Sequence, residues 1–309
     1  MNKRIAILDL GTNTFHLLIA DIAEAKLQGI VFQKTIAVKL GEGGITAGLI
    51  TKKAFDRGIA ALKKFQNTIE HYRSDQVKAV ATSAIRGALN GDEFIKKVKS
   101  ETGISLNIIN GDQEAELIYK GVRAGVKMGN DIALIMDIGG GSVEFIICND
   151  QLIFWKRSYP IGAARLMALF HHSDPISEKD TQALHHFLDQ TLTDLKQQLA
   201  FYQPSLLIGS AGAFETFTEL ADPKFHLVAN TFEKSEFMIE LKQFKKVAAM
   251  LLKSTHAERT QMPAITQVRV DMIVVATLLT KYILDSTQVK SLKLSTYSLK
   301  EGILFDLMM

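Results

Sequence analysis

Two short segments of the chain each end an apolar run with an aspartate followed by glycines and hydroxyl side chains. The first contains Asp9, Gly11, Thr12, Asn13 and Thr14, and the second contains Asp137, Gly139, Gly140, Gly141 and Ser142. Glycine leaves room for a ligand, and consecutive backbone N–H groups in a turn form an anion-binding concavity. Aspartate is a hard oxygen ligand for Mg²⁺, which proteins bind through one or two carboxylates plus substrate phosphates. The repeat predicts two similar domains that hold phosphate and Mg²⁺ between them, with a pair of ordinary hairpin turns as the alternative.

Carboxylates in and near these turns are the candidates for catalysis and metal binding. Glu114 lies in the first turn of a predicted helix directly after a predicted strand. Open α/β sheets place ligands there, so Glu114 is the candidate base, and a carboxylate that only favours the helix dipole is the alternative. Asp9, Asp137 and Glu144 form the candidate metal-binding set, because Asp137 and Glu144 flank the second glycine turn. A solvated strand position is the alternative for Glu144.

Two arginines and a third glycine turn are further candidate phosphate ligands. Arg86 and Arg165 lie near the ends of predicted strands, and a guanidinium group matches phosphate oxygens bidentately. An ordinary surface position is the alternative for either arginine. Gly209, Ser210 and Gly212 form a turn that opens a predicted helix. The backbone N–H groups of all three turns would hold non-bridging phosphate oxygens.

The bulk composition predicts a packed globular protein. The chain has 309 residues, of which 47% are hydrophobic and 22% charged, which suits two domains and excludes extensive disorder. A net charge of +3 is too small to indicate a nucleic-acid-binding protein. The single cysteine, Cys148, excludes an internal disulfide, and the longest apolar stretch, residues 272–280, is too short to span a membrane. We therefore expect a cytoplasmic protein with no nucleic-acid or membrane partner.

Hydrophobic periodicity predicts strands that alternate with helices in both halves, which is typical of mixed α/β proteins. Glycines and polar residues cluster at 125–130, which predicts one domain over residues 1–126 and a second over residues 127–297. We expect the final helix, 298–309, to pack back on the first domain. Helices are predicted to begin at Thr51, Asp112, Ser177, Ser235 and Ser298, and residues 261–284 to be mostly helical.

Taken in order, the motifs resemble the exopolyphosphatase / guanosine pentaphosphate phosphohydrolase family, within the actin, sugar-kinase and heat-shock ATPase superfamily. The matching segments are residues 9–16, 81–86, 111–115, 137–144, 162–165, 209–212, 269–271 and 300–302. The resemblance implies an α/β fold of two ribonuclease-H-like domains, each a mixed sheet flanked by helices, with the active site in the interdomain cleft. It places Glu114 on the family's catalytic glutamate, and Asp137 and Glu144 on its acidic pair.

The resemblance implies Mg²⁺-dependent release of terminal phosphate from inorganic polyphosphate, or hydrolysis of guanosine pentaphosphate to the tetraphosphate. A kinase and a non-catalytic polyphosphate or nucleotide sensor of the same fold stay open as alternatives, as does assembly into a homodimer. Longer members carry an extra C-terminal helical domain that this sequence does not show, which predicts a weaker grip on long chains.

The sequence departs from the family pattern at four positions near the expected site. Val143, Ala211 and Ala213 stand where hydroxyl residues are common, so we expect weaker phosphate contacts. Glu116 stands where arginine is common and is expected to add negative charge near a polyanion.

Overall fold

The computed structural model describes residues 3–222 and 234–308, in which strands and helices alternate after an opening meander of three strands. The first half contains β1 (Lys3–Leu10), β2 (Thr14–Ala23), β3 (Lys26–Ala37), α1 (Lys52–His71), β4 (Gln76–Ala81), α2 (Ser83–Arg86), α3 (Gly91–Thr102), β5 (Leu106–Ile108) and α4 (Gly111–Gly125). The second half contains β6 (Ala133–Ile138), β7 (Val143–Cys148), β8 (Ile153–Tyr159), α5 (Ala163–Phe170), α6 (Glu178–Thr191), α7 (Thr193–Tyr202), β9 (Leu206–Ser210), α8 (Gly212–Ala221), β10 (Glu236–Ile239), α9 (Leu241–Lys253), α10 (His256–Thr260), α11 (Met272–Asp285), β11 (Ser291–Ser295) and α12 (Leu299–Asp306).

Within these described ranges the strands form two mixed sheets of the same topology. The first sheet has the order β3-β2-β1-β4-β5, and the second has the order β10-β11-β9-β6-β7-β8. In each sheet, three strands form an antiparallel meander, and the next strand along the chain pairs in parallel with the first of them. Strand β10 is an additional antiparallel edge strand. The repeated order confirms the predicted fold class.

The central strands explain why the two aspartates follow apolar runs. Residues 5–8 of β1 are all buried, and so is every residue of β6 and β7. Strands covered on both faces need apolar side chains at every position, so their sequences show no alternation. Asp9 and Asp137 are the penultimate residues of β1 and β6. Both carboxylates therefore lie at the carboxyl edge of their sheets, where open α/β sheets bind ligands.

Helix α12 packs against α4 in the first half of the chain. One apolar cluster joins Leu299, Ile303 and Leu304 of α12 to Ile118 and Val122 of α4, and it also includes residues from both sheets. The two helices cross where neither carries a bulky side chain, because a Cβ on residue 302 would overlap the Leu117 carbonyl oxygen. The chain passes to the second sheet between α4 and β6. The division into domains at residues 126 and 127 stays a prediction.

Three of the predicted helix starts are confirmed. The Thr51 hydroxyl accepts a hydrogen bond from Ala54 N–H, and the Ser177 hydroxyl accepts one from Asp180 N–H. Ser298 precedes α12, and its N–H donates to Glu301 Oε2 at 3.0 Å. In each case a hydroxyl residue or its capping partner satisfies N–H groups that have no acceptor within the helix.

Two other predicted helix starts are wrong. Helix α4 is capped by Asn110, whose side chain accepts from Gln113 N–H, and Asp112 lies inside its first turn. Ser235 precedes strand β10, and its hydroxyl donates to the Gly125 carbonyl at 2.5 Å. That tertiary contact and the pairing of β10 with β11 replace the predicted cap, and the next helix begins only at Leu241.

Residues 261–271 form turns, whereas the sequence predicted a mostly helical segment there. Pro263 disfavours helical geometry at the residue before it. The buried Arg259 side chain donates to the Val270 carbonyl at 2.7 Å and holds the end of this segment in place. The helix that follows, α11, is almost entirely buried. No helix in residues 3–222 and 234–308 is long and apolar enough to cross a bilayer.

The close crossing of α12 and α4 leads to a stability prediction. We expect Gly302→Ala to lower the free energy of unfolding by about 1–3 kcal/mol, because the new methyl group must push the backbones of two packed helices apart. Urea unfolding followed by circular dichroism measures this change. Gly29→Ala is the matched control, since Gly29 is exposed and a Cβ there meets no atom within 4 Å. Equal stabilities of the two variants would contradict this account of the crossing.

Candidate active site

The turns that follow β1 and β6 both line one cleft of about 760 Å³. Most of the site residues predicted from the sequence line it. They are Asp9, Gly11, Thr12, Asn13, Thr14, Glu114, Asp137, Gly139, Gly140, Gly141, Ser142, Glu144 and Gly212. Four other predicted residues, Arg86, Arg165, Gly209 and Ser210, lie outside the lining. The structure thus brings both glycine turns and all four candidate carboxylates to one cavity.

The two glycine turns share one backbone geometry and touch each other. Gly11 N–H donates to Thr14 O, and Gly139 N–H donates to Ser142 O, each at 3.1 Å. A Cβ on Gly141 would lie only 2.7 Å from Thr12 Oγ1, the side chain of the opposite turn. None of these turn glycines has a positive φ. Glycine is required at position 141 because the two turns approach each other closely there. The reason is not a left-handed backbone conformation.

Glu114 projects from the first turn of α4 and is only 6% exposed. Its Oε2 accepts a hydrogen bond from Arg86 Nη1 at 2.7 Å, and the same Nη1 donates to the Ile109 carbonyl at 2.8 Å. Burial raises the pKa of Glu114 to about 7, although Arg86 acts in the opposite direction, and nearby Asp137 adds to the increase. This carboxyl group is held in one orientation and can exchange a proton near neutral pH.

Asp137 and Glu144 are held by serine hydroxyls from other elements. Asp137 Oδ2 accepts from Ser298 Oγ at 2.5 Å and also from Ser210, its partner in the parallel register of β6 and β9. Glu144 lies opposite Asp137 across the antiparallel pair β6–β7, and its Oε1 accepts from Ser158 Oγ at 2.7 Å. Burial raises the pKa of both carboxyl groups, and repulsion from Glu114 and Asp137 raises that of Glu144 further. The alternative of a solvated strand position for Glu144 is therefore excluded, since the residue is 1% exposed.

Asp9 is the fourth carboxylate of the cleft. Burial raises its pKa to about 7, repulsion from Glu114 and Asp137 adds to the increase, and the Lys300 ammonium acts in the opposite direction. Lys300 is itself paired with Glu301 at 2.9 Å. Asp9 is therefore partly neutralised by a cation from the C-terminal helix, which is the helix that packs back on the first half of the chain.

The cleft contains many more acidic than basic side chains. Its lining includes the carboxylates of Asp9, Glu114, Asp137, Glu144, Glu215, Glu219 and Glu301, and the basic groups of Lys34, Arg269 and Lys300. Within residues 3–222 and 234–308, no three histidine, cysteine or acidic side chains surround a point at which they could hold a metal ion. A protein-only metal cage is therefore absent from the described residues. The donor set fits a hard cation held by one or two carboxylates together with ligand oxygens, as Mg²⁺ commonly is.

The two arginines predicted to bind phosphate have protein partners instead. Arg86 holds Glu114, as described above, and is a positioning residue for that carboxylate. Arg165 Nη1 donates to the Ile45 carbonyl at 3.0 Å, and burial lowers the pKa of the Arg165 guanidinium. Glu116, predicted to add charge near the site, lies outside the cleft lining and pairs with Lys156 at 2.8 Å. Both arginines lie outside the cleft lining, and their role as phosphate ligands stays a prediction.

The third turn is built differently from the first two. Gly209 and Ser210 belong to strand β9, and the turn pivots at Ala211, which has a φ of 66°. This conformation costs a residue with a Cβ on the order of 1–3 kcal/mol. Gly212 lines the cleft beside Arg269, whose guanidinium a Cβ on residue 212 would overlap. Of the three predicted turn residues, Gly212 at the start of α8 lines the cleft, whereas Gly209 and Ser210 do not.

Among the cleft residues that received no role from the sequence are His16, Arg269 and Lys300. Each lies inside a segment that carried the family resemblance and each lines the cleft. Arg269 pairs with Glu215 at 2.8 Å. The signal that could have found His16 is the hairpin between β1 and β2, because its short turn sets His16 directly opposite Asp9. Lys300 and Arg269 reach the cleft only through the packing of distant segments.

Comparison with known proteins assigns the chain to a family. Its sequence matches the model of the Ppx/GppA phosphatase family over residues 18–309. The chain belongs to this family. The assignment confirms the resemblance that the motifs indicated.

Individual members of the Ppx/GppA phosphatase family match the chain over nearly its whole length. A putative exopolyphosphatase from Haemophilus influenzae is 26% identical over 309 residues, which cover 99% of this chain and 91% of the relative. The crystal structure of an exopolyphosphatase from Cytophaga hutchinsonii is 39% identical, with a TM-score of 0.95 and coverage of 99% and 98%. The crystal structure of the Aquifex aeolicus family member is 25% identical, with a TM-score of 0.80 and the same coverage.

Crowded carboxyl groups lead to a pH prediction for this member of the Ppx/GppA phosphatase family. In the folded protein the pKa of Glu114 and of Asp9 is about 7, above the ordinary values of 4.5 and 3.8. Between these limits the folded chain holds protons that the unfolded chain has released, so stability falls as the pH rises. Without metal ions, we expect the free energy of unfolding to fall from about pH 4 to about pH 7.

Urea unfolding in the presence of a chelator measures this slope. Glu114→Gln removes one of the raised carboxyl groups and should make the slope shallower. Adding Mg²⁺ should stabilise the protein more at the higher pH, where the carboxylates are ionised. An identical slope in the wild type and in Glu114→Gln would contradict the raised pKa of Glu114.

Proposed function

We propose that this protein releases terminal phosphate from inorganic polyphosphate, with Glu114 as the group that activates water. The observation that carries the proposal is the position of Glu114, which is buried in the cleft that both glycine turns line and is held by Arg86. The family consists of hydrolases that act on phosphorus-containing anhydrides. The Haemophilus influenzae relative and the Cytophaga hutchinsonii structure are both described as exopolyphosphatases, which supports polyphosphate as the substrate.

Glu114 differs from Asp137 and Glu144 in its hydrogen-bond partner. Asp137 and Glu144 accept hydrogen bonds from serine hydroxyls, whereas Glu114 accepts one from the Arg86 guanidinium. The Arg86 hydrogen bond engages only Oε2 of Glu114, so Oε1 can accept a proton. A base with a pKa close to the working pH is the most effective, and burial raises the pKa of Glu114 to about 7.

In the proposed reaction, the oxygen of a water molecule attacks the terminal phosphorus while Glu114 takes a proton from that water molecule. The bond between that phosphorus and the bridging oxygen breaks in line with the attack. The products are inorganic phosphate and a polyphosphate shorter by one unit. Backbone N–H groups at residues 12–14 and 140–142 would donate to the non-bridging oxygens, where charge is concentrated, because the N–H groups of Gly11 and Gly139 close the turns themselves. Because the two turns lie close together, their N–H groups would bind one phosphate from both sides.

The acidic excess of the cleft requires a cation when a polyanion binds. Asp9, Asp137 and Glu144 are the residues that would hold Mg²⁺, together with phosphate oxygens. When bound, Mg²⁺ supplies positive charge that neutralises the phosphates and the carboxylates around them.

Guanosine pentaphosphate is the second candidate substrate. Part of the cleft lining is apolar and could offer a surface for a nucleoside. Its residues are Pro263, Ala264, Val268, Met272, Ile273 and Ala276. The phosphates would occupy the same glycine turns in either substrate, so the chemistry at Glu114 would be the same.

Replacing Glu114 tests the catalytic assignment. We expect Glu114→Gln to lower kcat for phosphate release by about 10²–10⁴-fold, the usual contribution of a general base. Glu116→Gln is the matched control, because Glu116 lies on the same helix but outside the cleft lining, and we expect its activity to stay within about twofold of the wild type. Phosphate release should be measured with short polyphosphate, and folding checked by circular dichroism. Wild-type activity in a folded Glu114→Gln variant would reject Glu114 as the base.

A comparison of substrates tests the choice of polyphosphate. We expect faster phosphate release from polyphosphate than from guanosine pentaphosphate, and little release from either after Mg²⁺ is removed, because the acidic cleft then repels both polyanions. Short and long polyphosphates should be included. A preference for the nucleotide would support the second candidate. Binding without phosphate release would indicate a sensor, and release that depends on an added acceptor would indicate a kinase.

A further inference from the structure

His16 lies in a row of polar side chains that crosses the first sheet at the cleft. The register of β1, β2 and β3 sets Asp9 opposite His16 and His16 opposite Thr35. His16 Nδ1 is 2.9 Å from Thr35 Oγ1, and His16 Nε2 is 2.9 Å from Thr14 Oγ1. All four side chains line the cleft. The imidazole therefore connects a hydroxyl of β3 to a hydroxyl of the first phosphate-binding turn.

Burial and the nearby cations Lys300 and Arg269 lower the pKa of His16, which favours the neutral imidazole. A neutral imidazole has one N–H donor and one nitrogen acceptor. The two hydroxyl contacts of His16 therefore cannot be of the same kind, and the location of its one proton sets the direction of both hydrogen bonds.

Only one of the two directions suits an anionic ligand. If Nε2 carries the proton, it donates to Thr14 Oγ1, and the Thr14 hydroxyl proton is free to donate into the cleft. Thr35 then donates to Nδ1. If Nδ1 carries the proton, the Thr14 hydroxyl donates to Nε2, and it presents lone pairs to the ligand. A phosphate oxygen accepts hydrogen bonds and is repelled by lone pairs, so the first direction binds phosphate and the second does not.

We propose that His16 is a positioning residue that holds the Thr14 hydroxyl as a donor to a ligand phosphate, through a relay from Thr35 to His16 to Thr14. Its role as an aid to phosphate binding rests on the proposed function, whereas the proton position on His16 can be measured independently. The relay gives the first turn a side-chain donor in addition to its backbone N–H groups. Thr35, on a different strand, sets the direction from outside the turn.

The first experiment measures the relay directly. Nuclear magnetic resonance of protein labelled with ¹⁵N in its histidines reports which ring nitrogen carries the proton. The chain has 8 histidines, and His16→Gln identifies the His16 signals by their loss. With saturating inorganic phosphate, we expect the proton on Nε2 of His16. A proton on Nδ1 under these conditions would overturn the proposal.

The second experiment measures the effect of the relay on the substrate. Thr35→Val keeps the shape of the side chain and removes the hydroxyl that donates to Nδ1, so we expect KM for short polyphosphate to rise by about threefold to tenfold with kcat nearly unchanged. Thr35→Ser restores a hydroxyl and should restore KM. A KM equal to that of the wild type in Thr35→Val, or an equal rise in both variants, would overturn the relay.

The two experiments separate this inference from the proposed function. If the wild-type protein releases no phosphate from polyphosphate, the proposed function fails. The proton position on His16 with inorganic phosphate bound, and the affinity of the two Thr35 variants for inorganic phosphate, then decide the relay alone. Weaker phosphate binding in Thr35→Val that Thr35→Ser reverses would support it, and equal binding would overturn it.

Discussion

The concentration of buried negative charge in the cleft is the constraint on which the rest of the site depends. Asp9, Glu114, Asp137 and Glu144 all have raised pKa values, and burial is the largest cause in each case. Carboxylates that are removed from water and placed near one another cannot all stay ionised without added positive charge. Under the proposed function, a polyphosphate would bring further negative charge into the same space, so we expect it to bind together with a cation.

Three of the four carboxylates accept hydrogen bonds from donors on separate elements of the fold. Glu114 receives Arg86 from α2, Asp137 receives hydroxyls from β9 and from the start of α12, and Glu144 receives one from β8. Hydrogen bonds to ionised groups are stronger than those between neutral groups. They stabilise the negative charge of a carboxylate and also fix its orientation. The different partners also give the carboxylates different roles. Glu114 is held by a guanidinium group, whereas Asp137 is held by two hydroxyls on the same oxygen.

The same cleft depends on contacts that hold the two halves of the chain together. Ile45, from the loop before α1, is buried in the apolar cluster of the second sheet. Arg165 Nη1 donates to the carbonyl of Ile45 and so braces this loop from the second half. Helix α12, in the second half of the chain, packs on α4 of the first half. Ser298, which precedes α12, and Lys300, in its first turn, both line the cleft. The glycine turns can touch because these two contacts fix the halves on either side of them.

The sequence by itself determined the fold class, the family and the positions of the main catalytic candidates. These depend on local rules: a strand buried on both faces is apolar throughout, and the residues at its carboxyl end face the ligand edge. The helix starts at Thr51 and Ser177 were also readable, because a cap acts over three residues. The helix start predicted at Ser235 failed because its hydroxyl binds a carbonyl 110 positions away.

Only the tertiary structure decided what each polar side chain contacts. Arg86 reaches Glu114 across 28 positions, and Ser298 reaches Asp137 across 161. Two arginines that looked like phosphate ligands therefore became partners of Glu114 and Ile45, and a histidine without an assigned role became the link between two hydroxyls. Burial, and with it the pKa of every carboxyl group in the cleft, depends on how distant segments pack. A local pattern contains no information about that packing, because the partners come from other parts of the chain.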